Sequence, residues 1–160
     1  MKKILFVVMF CLCLCGCGTK NDSFSNLNIE TVKSKIGAID GITDICVVTE
    51  DNDPNGQLNK EKGYTGALFF TFDSIELNND AETNNSCEKG TTAGGSIEIY
   101  ANRDDAKDRN DYLSNFDGSI LASYHKLKET IVIRLSEKLT VAEQEKLSSE
   151  IIKKLEDTTR

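Results

Sequence analysis

No later segment of this chain is both apolar and long enough to cross a bilayer, and its one early apolar run stops at eleven residues, Ile4 to Leu14. A spanning helix needs about twenty, so a permanent transmembrane segment is not expected. Catalytic signatures are equally scarce. There is no G-x-S-x-G turn to present a hydrolase serine. The stretch Gly90-Thr91-Thr92-Ala93-Gly94-Gly95 lacks the Lys-Ser/Thr of a phosphate loop and leads into a strand pattern instead of a helix. His125 is the only histidine. It is the obvious general base, but its place between Tyr124 and Lys126, near an expected hairpin turn, predicts an exposed side chain with no nucleophile in a recognisable motif. The chain is therefore expected not to be an enzyme. Basic residues are outnumbered, 19 against 26 acidic, which argues against nucleic acid or anionic lipid as a partner. A cationic peptide, a cationic protein or a metal ion remains compatible. Internal repeats are absent.

What the chain does have begins at its amino terminus. Lys2 and Lys3 precede the apolar run, and Leu14-Cys15-Gly16-Cys17 follows. A basic start, a short apolar core and a small residue before the cut describe an export signal. The last four residues resemble a lipobox, the signature of bacterial lipoprotein signals. That resemblance implies cleavage before Cys17, a diacylglyceryl group on its sulfur, further acylation of the palmitate kind, and residence at the outer face of the cell membrane. Cys11, Cys13 and Cys15 would be discarded with the signal. Of the four alternating cysteines, only Cys17 has a small residue before it and a leucine three positions before it. One acyl chain holds a protein only marginally, whereas two hold it durably. Residues 1–16 are thus expected to be a signal peptide, 17–26 the lipidated cysteine and a small, polar, flexible tether, and 27–160 a single domain. Loss of Lys2 and Lys3 leaves 17 basic against 26 acidic residues, a formal charge of −9. The 144 residues left are the size of one ordinary domain.

Cys46 and Cys87 are the other two cysteines. In an exported protein they can form a disulfide, or Cys46 can pack as a free thiol in an apolar strand while Cys87 sits in a polar loop. Periodicity supplies the elements. Asn28 to Ile39 predicts a helix, capped by Asn28, with Ile29, Val32, Ile36 and Ile39 on one face. Thr43 to Thr49 is β-branched and apolar on both faces, so it predicts a central strand. Thr65 to Phe72 predicts a second. Asn78 to Asn85 predicts a mobile loop. Ser96 to Ala101 alternates, Ile97 and Ile99 one way, Glu98 and Tyr100 the other. Asn102 then caps a helix with Asp104 and Asp105 in its first turn, Ala106, Leu113 and Phe116 buried, and Asp117-Gly118 at its end. Its mixed charges, Arg103, Lys107, Asp108, Arg109 and Asp111, predict a solvated face. Ser119 to Lys126 and Thr130 to Ser136 predict a hairpin. Thr140 and Glu143 form a capping box for a last helix that buries Leu147, Ile151 and Leu155. The fold expected is α+β, a mainly antiparallel sheet of about five strands with helices packed on it, in the order α-β-β-β-α-β-β-α.

The sharpest local motif is Asp51-Asn52-Asp53-Pro54-Asn55-Gly56. Alternate carboxylates followed by glycine resemble the start of a calcium loop, with Asp51, Asp53 and Asn55 as the Ca²⁺ ligands. The twelfth position is Lys62 where the bidentate Glu belongs, and a strand precedes the segment where an EF-hand has a helix. The alternative is an acidic turn joining two strands. Thr49-Glu50, Asp53-Pro54-Asn55 and Gly63-Tyr64, together with Gly94-Gly95-Ser96-Ile97-Glu98-Ile99-Tyr100, the acidic helix with Ala106, and the Arg134 strand running into Thr140, are similar to a pattern in small lipoproteins of Gram-positive bacteria. The resemblance covers residues 43–155 and implies no activity. Leu58-Asn59-Lys60 departs from it where members often carry a Leu-Gly-Arg-like stretch. Asp53, Asn55, Tyr64, Gly94, Gly95 and Glu98 are expected to converge on one end of the sheet as a ligand or partner loop. The glycine pair would either admit a ligand or form a bulge or tight turn. The function expected is a membrane-anchored binding module for an envelope protein or peptide, the alternative a small-ligand or Ca²⁺-binding lipoprotein.

Overall fold

The computed structural model describes residue 24 and residues 27–76, 85–119 and 123–157. The order of elements is α1 (Ile29–Ile36), β1 (Ile42–Val47), β2 (Tyr64–Phe72), α2 (Ser86–Lys89) with a 3₁₀ turn (Gly90–Ala93), β3 (Gly94–Tyr100), α3 (Arg103–Ser114), β4 (Tyr124–Lys128), β5 (Ile131–Leu135) and α4 (Val141–Glu156). All strand pairs are antiparallel, in the spatial order β1-β2-β3-β5-β4. The fold is α+β as the periodicity predicts, with α2 added to the expected order. Most of the predicted Asn78–Asn85 loop lies outside the described residues. Its last residue, Asn85, caps α2 by accepting from the Glu88 amide.

The helix starts follow from local chemistry. Asn28 accepts from the Thr31 amide at 2.8 Å, Asn102 from the Asp105 amide at 2.9 Å, and Thr140 and Glu143 close the capping box. Helix α1 is shorter than its apolar spacing predicts. After Ile36 the amides of Ala38 and Ile39 turn back to carbonyls three residues earlier, so Ile39 reaches the core from a tightened turn.

Each face of the sheet has its own core. On one, α1 and α4 cover Leu68, Phe70, Ile97, Ile99, Ile131, Ile133 and Leu135 with Val32, Ile36, Leu147, Ile151 and Leu155. Fully burying one such side chain is worth about 1.5–3 kcal/mol. Phe24 belongs to this cluster and is 2% exposed, so the folded body reaches back into the expected tether and begins at least three residues before position 27. On the other face, α2, α3 and the 48–63 loop cover Tyr64, Ala67, Phe69, Cys87, Tyr100, Ala106, Leu113 and Val132.

Three expectations need correction. Strand β1 is an edge strand, not a central one. Its apolar residues on both sides are explained by Ile45 packing toward α1 and Cys46 toward α2. The hairpin turn is Glu129-Thr130, with Glu129 at φ 53°, so His125 lies inside β4 opposite Arg134. Its side chain is only 11% exposed. The Gly94–Gly95 pair is buried within the sheet. A Cβ on Gly94 would lie 2.4 Å from the Phe70 carbonyl oxygen, and one on Gly95 2.5 Å from the Arg134 carbonyl oxygen. Neighbouring backbone, not a ligand, demands these glycines.

Cys46 and Cys87 are joined as a disulfide with their Cα atoms 5.5 Å apart. It ties the edge strand to α2 across 41 residues, a loop worth about 4 kcal/mol in the chain-entropy account. Denaturant unfolding with and without reductant should therefore differ by several kcal/mol. A Cys46→Ala/Cys87→Ala variant should match the reduced protein and be insensitive to reductant.

Candidate functional site

Strand β3 runs through the centre of the sheet with every residue buried. Alternation therefore buries Glu98 under α3 and the 48–63 loop, where the carboxylate is 1% exposed. An ionised carboxylate there needs partners that replace water. Arg109 supplies the main pair, Nε to Oε2 and Nη2 to Oε1, both at 2.9 Å. This is the two-pronged geometry that a guanidinium makes best. The Tyr100 hydroxyl donates to Oε2 at 2.8 Å. Arg134, from β5, holds Nη1 3.6 Å from Oε1.

The three charged groups leave one net positive charge. Burial works to lower the Arg109 pKa, but the hydrogen bonds and charge of the Glu98 carboxylate outweigh it and raise the value above that of a free guanidinium. For Arg134 burial prevails over the more distant Glu98, and Arg109 adds repulsion, so its pKa falls below that of a free guanidinium. Tyr100 is pushed up by burial and by the adjacent Glu98 charge.

A second carboxylate sits beside this cluster. Asp53 Oδ2 accepts from the backbone amides of Gln57 (2.6 Å) and Leu58 (2.7 Å), and Oδ1 from that of Asn55 (2.9 Å). The Tyr64 hydroxyl donates to the same Oδ1, and Asn55 Nδ2 donates to that hydroxyl at 3.4 Å. Tyr64 meets Tyr100 edge-on, ring centres 6.3 Å apart. Two polar groups, Asp53–Tyr64 and Tyr100–Glu98–Arg109, thus meet at an aromatic edge contact. Partial burial works to raise the Asp53 pKa, but the Tyr64 hydroxyl and three amides hold it below its ordinary 3.8. Burial first, then Asp53, raises that of Tyr64.

The structure therefore unites Asp53, Asn55, Tyr64 and Glu98, and separates Gly94 and Gly95 from them. Gly94 pairs with Thr71 at one end of β2, and Tyr64 with Tyr100 at the other. The Asp53 oxygens are filled by N–H and O–H donors where a cation would need free lone pairs. Asp51 is exposed in the adjoining turn. Among the described residues no three His, Cys, Asp or Glu side chains are grouped to hold a metal ion.

Arg109 departs from the solvated face expected for the mixed charges of α3, since its side chain turns inward to Glu98. It lies three residues after Ala106 and four before Leu113, the two buried positions of the helix, so helical spacing alone turns it inward. Arg134 was flanked by Ile133 and Leu135 but is on the opposite face, beside Val132. His125 Nδ1 lies 2.9 Å from Asn110 Oδ1, and Nε2 3.3 Å from Asp117 Oδ1. Both ring nitrogens are thereby engaged in holding α3 and its exit turn to β4.

Two open clefts border the cluster. One, of about 200 Å³, is lined by Asn55, Arg109, Tyr112, Leu113, Phe116 and Arg134. The other, of about 380 Å³, shares Asn55, Arg109 and Tyr112 and continues past Lys62 and Asp108. Lys62 pairs with Asp108 at 3.1 Å; both are exposed, so this link is worth little. No family model matches the chain, and no curated protein or solved structure is significantly similar to it.

Glu98→Gln should strand two buried guanidinium groups and cost about 3–5 kcal/mol, read as a lower denaturant midpoint. Asp53→Asn should cost about 2 kcal/mol at neutral pH, because an amide cannot accept from all of those donors. The depressed Asp53 pKa gives the sign of the pH effect. Its contribution is complete above pH 3.8 and disappears as pH falls through the folded value. The gap between wild type and Asp53→Asn should therefore close in acid unfolding curves below that pH.

Proposed function

We propose that the chain is a bacterial lipoprotein, cleaved before Cys17 and held by a diacylglyceryl group at the outer face of the cell membrane. Its α+β domain binds a protein or peptide of the cell envelope and performs no reaction on it. The observation that carries the anchor is the amino-terminal sequence itself: Lys2-Lys3, eleven apolar residues, then Leu14-Cys15-Gly16-Cys17. A disulfide between Cys46 and Cys87 accords with an oxidising compartment. No helix among the described residues is long and apolar enough to cross a membrane.

The burial of Phe24 sets the reach of such an anchor. Six residues lie between Cys17 and Phe24, so the seven steps span at most about 25 Å. The domain would work close to the headgroups and not at the end of a long stalk. The binding part of the reading rests on the clefts beside Arg109 and Arg134. Polar groups that a catalyst would expose are here bonded to one another: Asp53 to Tyr64, Glu98 to Arg109, and His125 to Asn110 and Asp117.

Expression of the full-length chain in a bacterial host tests the anchor. Mass spectrometry of the membrane fraction should find residues 1–16 removed and diacylglyceryl and acyl mass on Cys17. Cys17→Ser should carry no lipid and retain residues 1–16. An intact, unacylated wild-type amino terminus would refute the anchor.

A further inference from the structure

The smaller cleft is built differently from the rest of this acidic surface. Its floor is two mostly buried arginines, whose side chains are 18% and 15% exposed for Arg109 and Arg134. Arg109 spends Nε and Nη2 on Glu98 and leaves Nη1 without an acceptor among the described residues. Arg134 is satisfied less well. Its nearest acceptors are the Ser123 hydroxyl oxygen, 3.4 Å from both Nε and Nη2, and Glu98 Oε1 at 3.6 Å. Good charge-assisted hydrogen bonds are about 2.7–2.9 Å long, so this guanidinium has no strong partner among the described residues. Directly across the β3–β5 register lies Ser96, whose fully buried hydroxyl has no partner among the described residues. Beside the arginines the wall turns apolar. Leu113 is joined by Tyr112 and Phe116, which stack edge-on at 5.1 Å, and Tyr112 is 53% exposed.

We propose that this cleft receives the free carboxyl terminus of a peptide, its carboxylate on Arg134 and Arg109 and its last side chain against Tyr112 and Phe116. Charge selects the ligand. One anionic Glu98 between two cations leaves a single positive charge, which a monovalent carboxylate neutralises. A phosphate dianion would overfill it, and the Lys62–Asp108 pair on the wider cleft adds no net charge to balance the excess. Shape selects the rest. A guanidinium edge matches the two oxygens of a carboxylate, and an aromatic wall suits an apolar terminal residue. The wider cleft shares Asn55, Arg109 and Tyr112 with this one and adds Gln57, so it adjoins the site and offers room for the preceding residues. This assignment rests on the reading of the domain as a peptide-binding module, and it names the site.

The test is ligand-observed NMR on the full-length chain in detergent, with N-acetyl-glycyl-phenylalanine, its carboxamide, acetate and inorganic phosphate as probes at millimolar concentration. The free acid should bind, and amidation should weaken it about tenfold or more. Tyr112→Ala removes the ring contacts to Phe116 and Arg109, so it should lower the melting temperature by only a few degrees while weakening binding severalfold. Arg134→Gln should abolish it, with circular dichroism as the check on folding. Equal binding of acid and amide, or no binding of the acid, overturns the proposal. Acetate or phosphate binding as well as the dipeptide assigns the cleft to small anions and also overturns it. A partner captured by the wild type and equally by Tyr112→Ala and Arg134→Gln would remove the cleft while leaving the binding-module reading intact.

Discussion

One buried carboxylate organises half of this molecule. Glu98 occupies the central strand at a position that strand alternation turns away from the α1–α4 core. Because it is almost wholly removed from water, it is compatible with folding only when cations and donors surround it. Arg109 must then come down from α3, Arg134 from β5, and Tyr100 from two residues along its own strand. The seat of α3 on the sheet follows from that requirement more than from its few apolar residues, Ala106 and Leu113. The edge contact from Tyr100 to Tyr64, and from there to Asp53, extends the same constraint into the 48–63 loop.

The two faces divide the work. The α1–α4 face holds the larger apolar cluster and supplies stability by burial. The α3 face trades apolar area for a polar network, and the lost burial is offset by a cross-link and by edge protection. The disulfide fastens edge strand β1 to α2. At the opposite edge β4 carries Lys126 and Lys128, paired with Glu145 and Glu156 of α4, and charged edges discourage pairing with another chain.

The fold class was legible because helix caps and apolar periods are local signals. Asn28, Asn102 and the Thr140–Glu143 box mark helix starts where the structure has them. The alternation in Ser96 to Ala101 already implied that Glu98 faced away from Ile97 and Ile99. What the chain could not reveal was how many layers lie on each side of the sheet. Without α2, β1 read as central, because an apolar pattern on both faces does not distinguish a central strand from an edge strand covered by a short helix. The partners of Glu98 were hidden for a related reason. Arg109 sits among Lys107, Asp108 and Asp111, and a charge-rich helix reads as solvated unless its phase is taken from Ala106 and Leu113. Gly94 and Gly95 misled because the demand for no side chain comes from neighbouring strands distant in sequence.

An acidic chain with cationic groups set in its floor has a specific electrostatic character. Exposed charges farther apart than about 8–10 Å are screened at physiological salt, so the overall negative charge neither attracts nor strongly repels an anion until it is near the surface. Within the cleft the balance reverses, since partly buried guanidinium groups are screened far less and Glu98 offsets only one of them. For the carboxylate ligand proposed above, discrimination would then happen at contact and not by long-range steering. It depends on geometry, two nitrogens in a fork against two oxygens, which Arg109 already displays toward Glu98. Holding Arg109 in place is therefore the second consequence of the buried carboxylate: Glu98 also fixes a guanidinium that lines the cleft beside it.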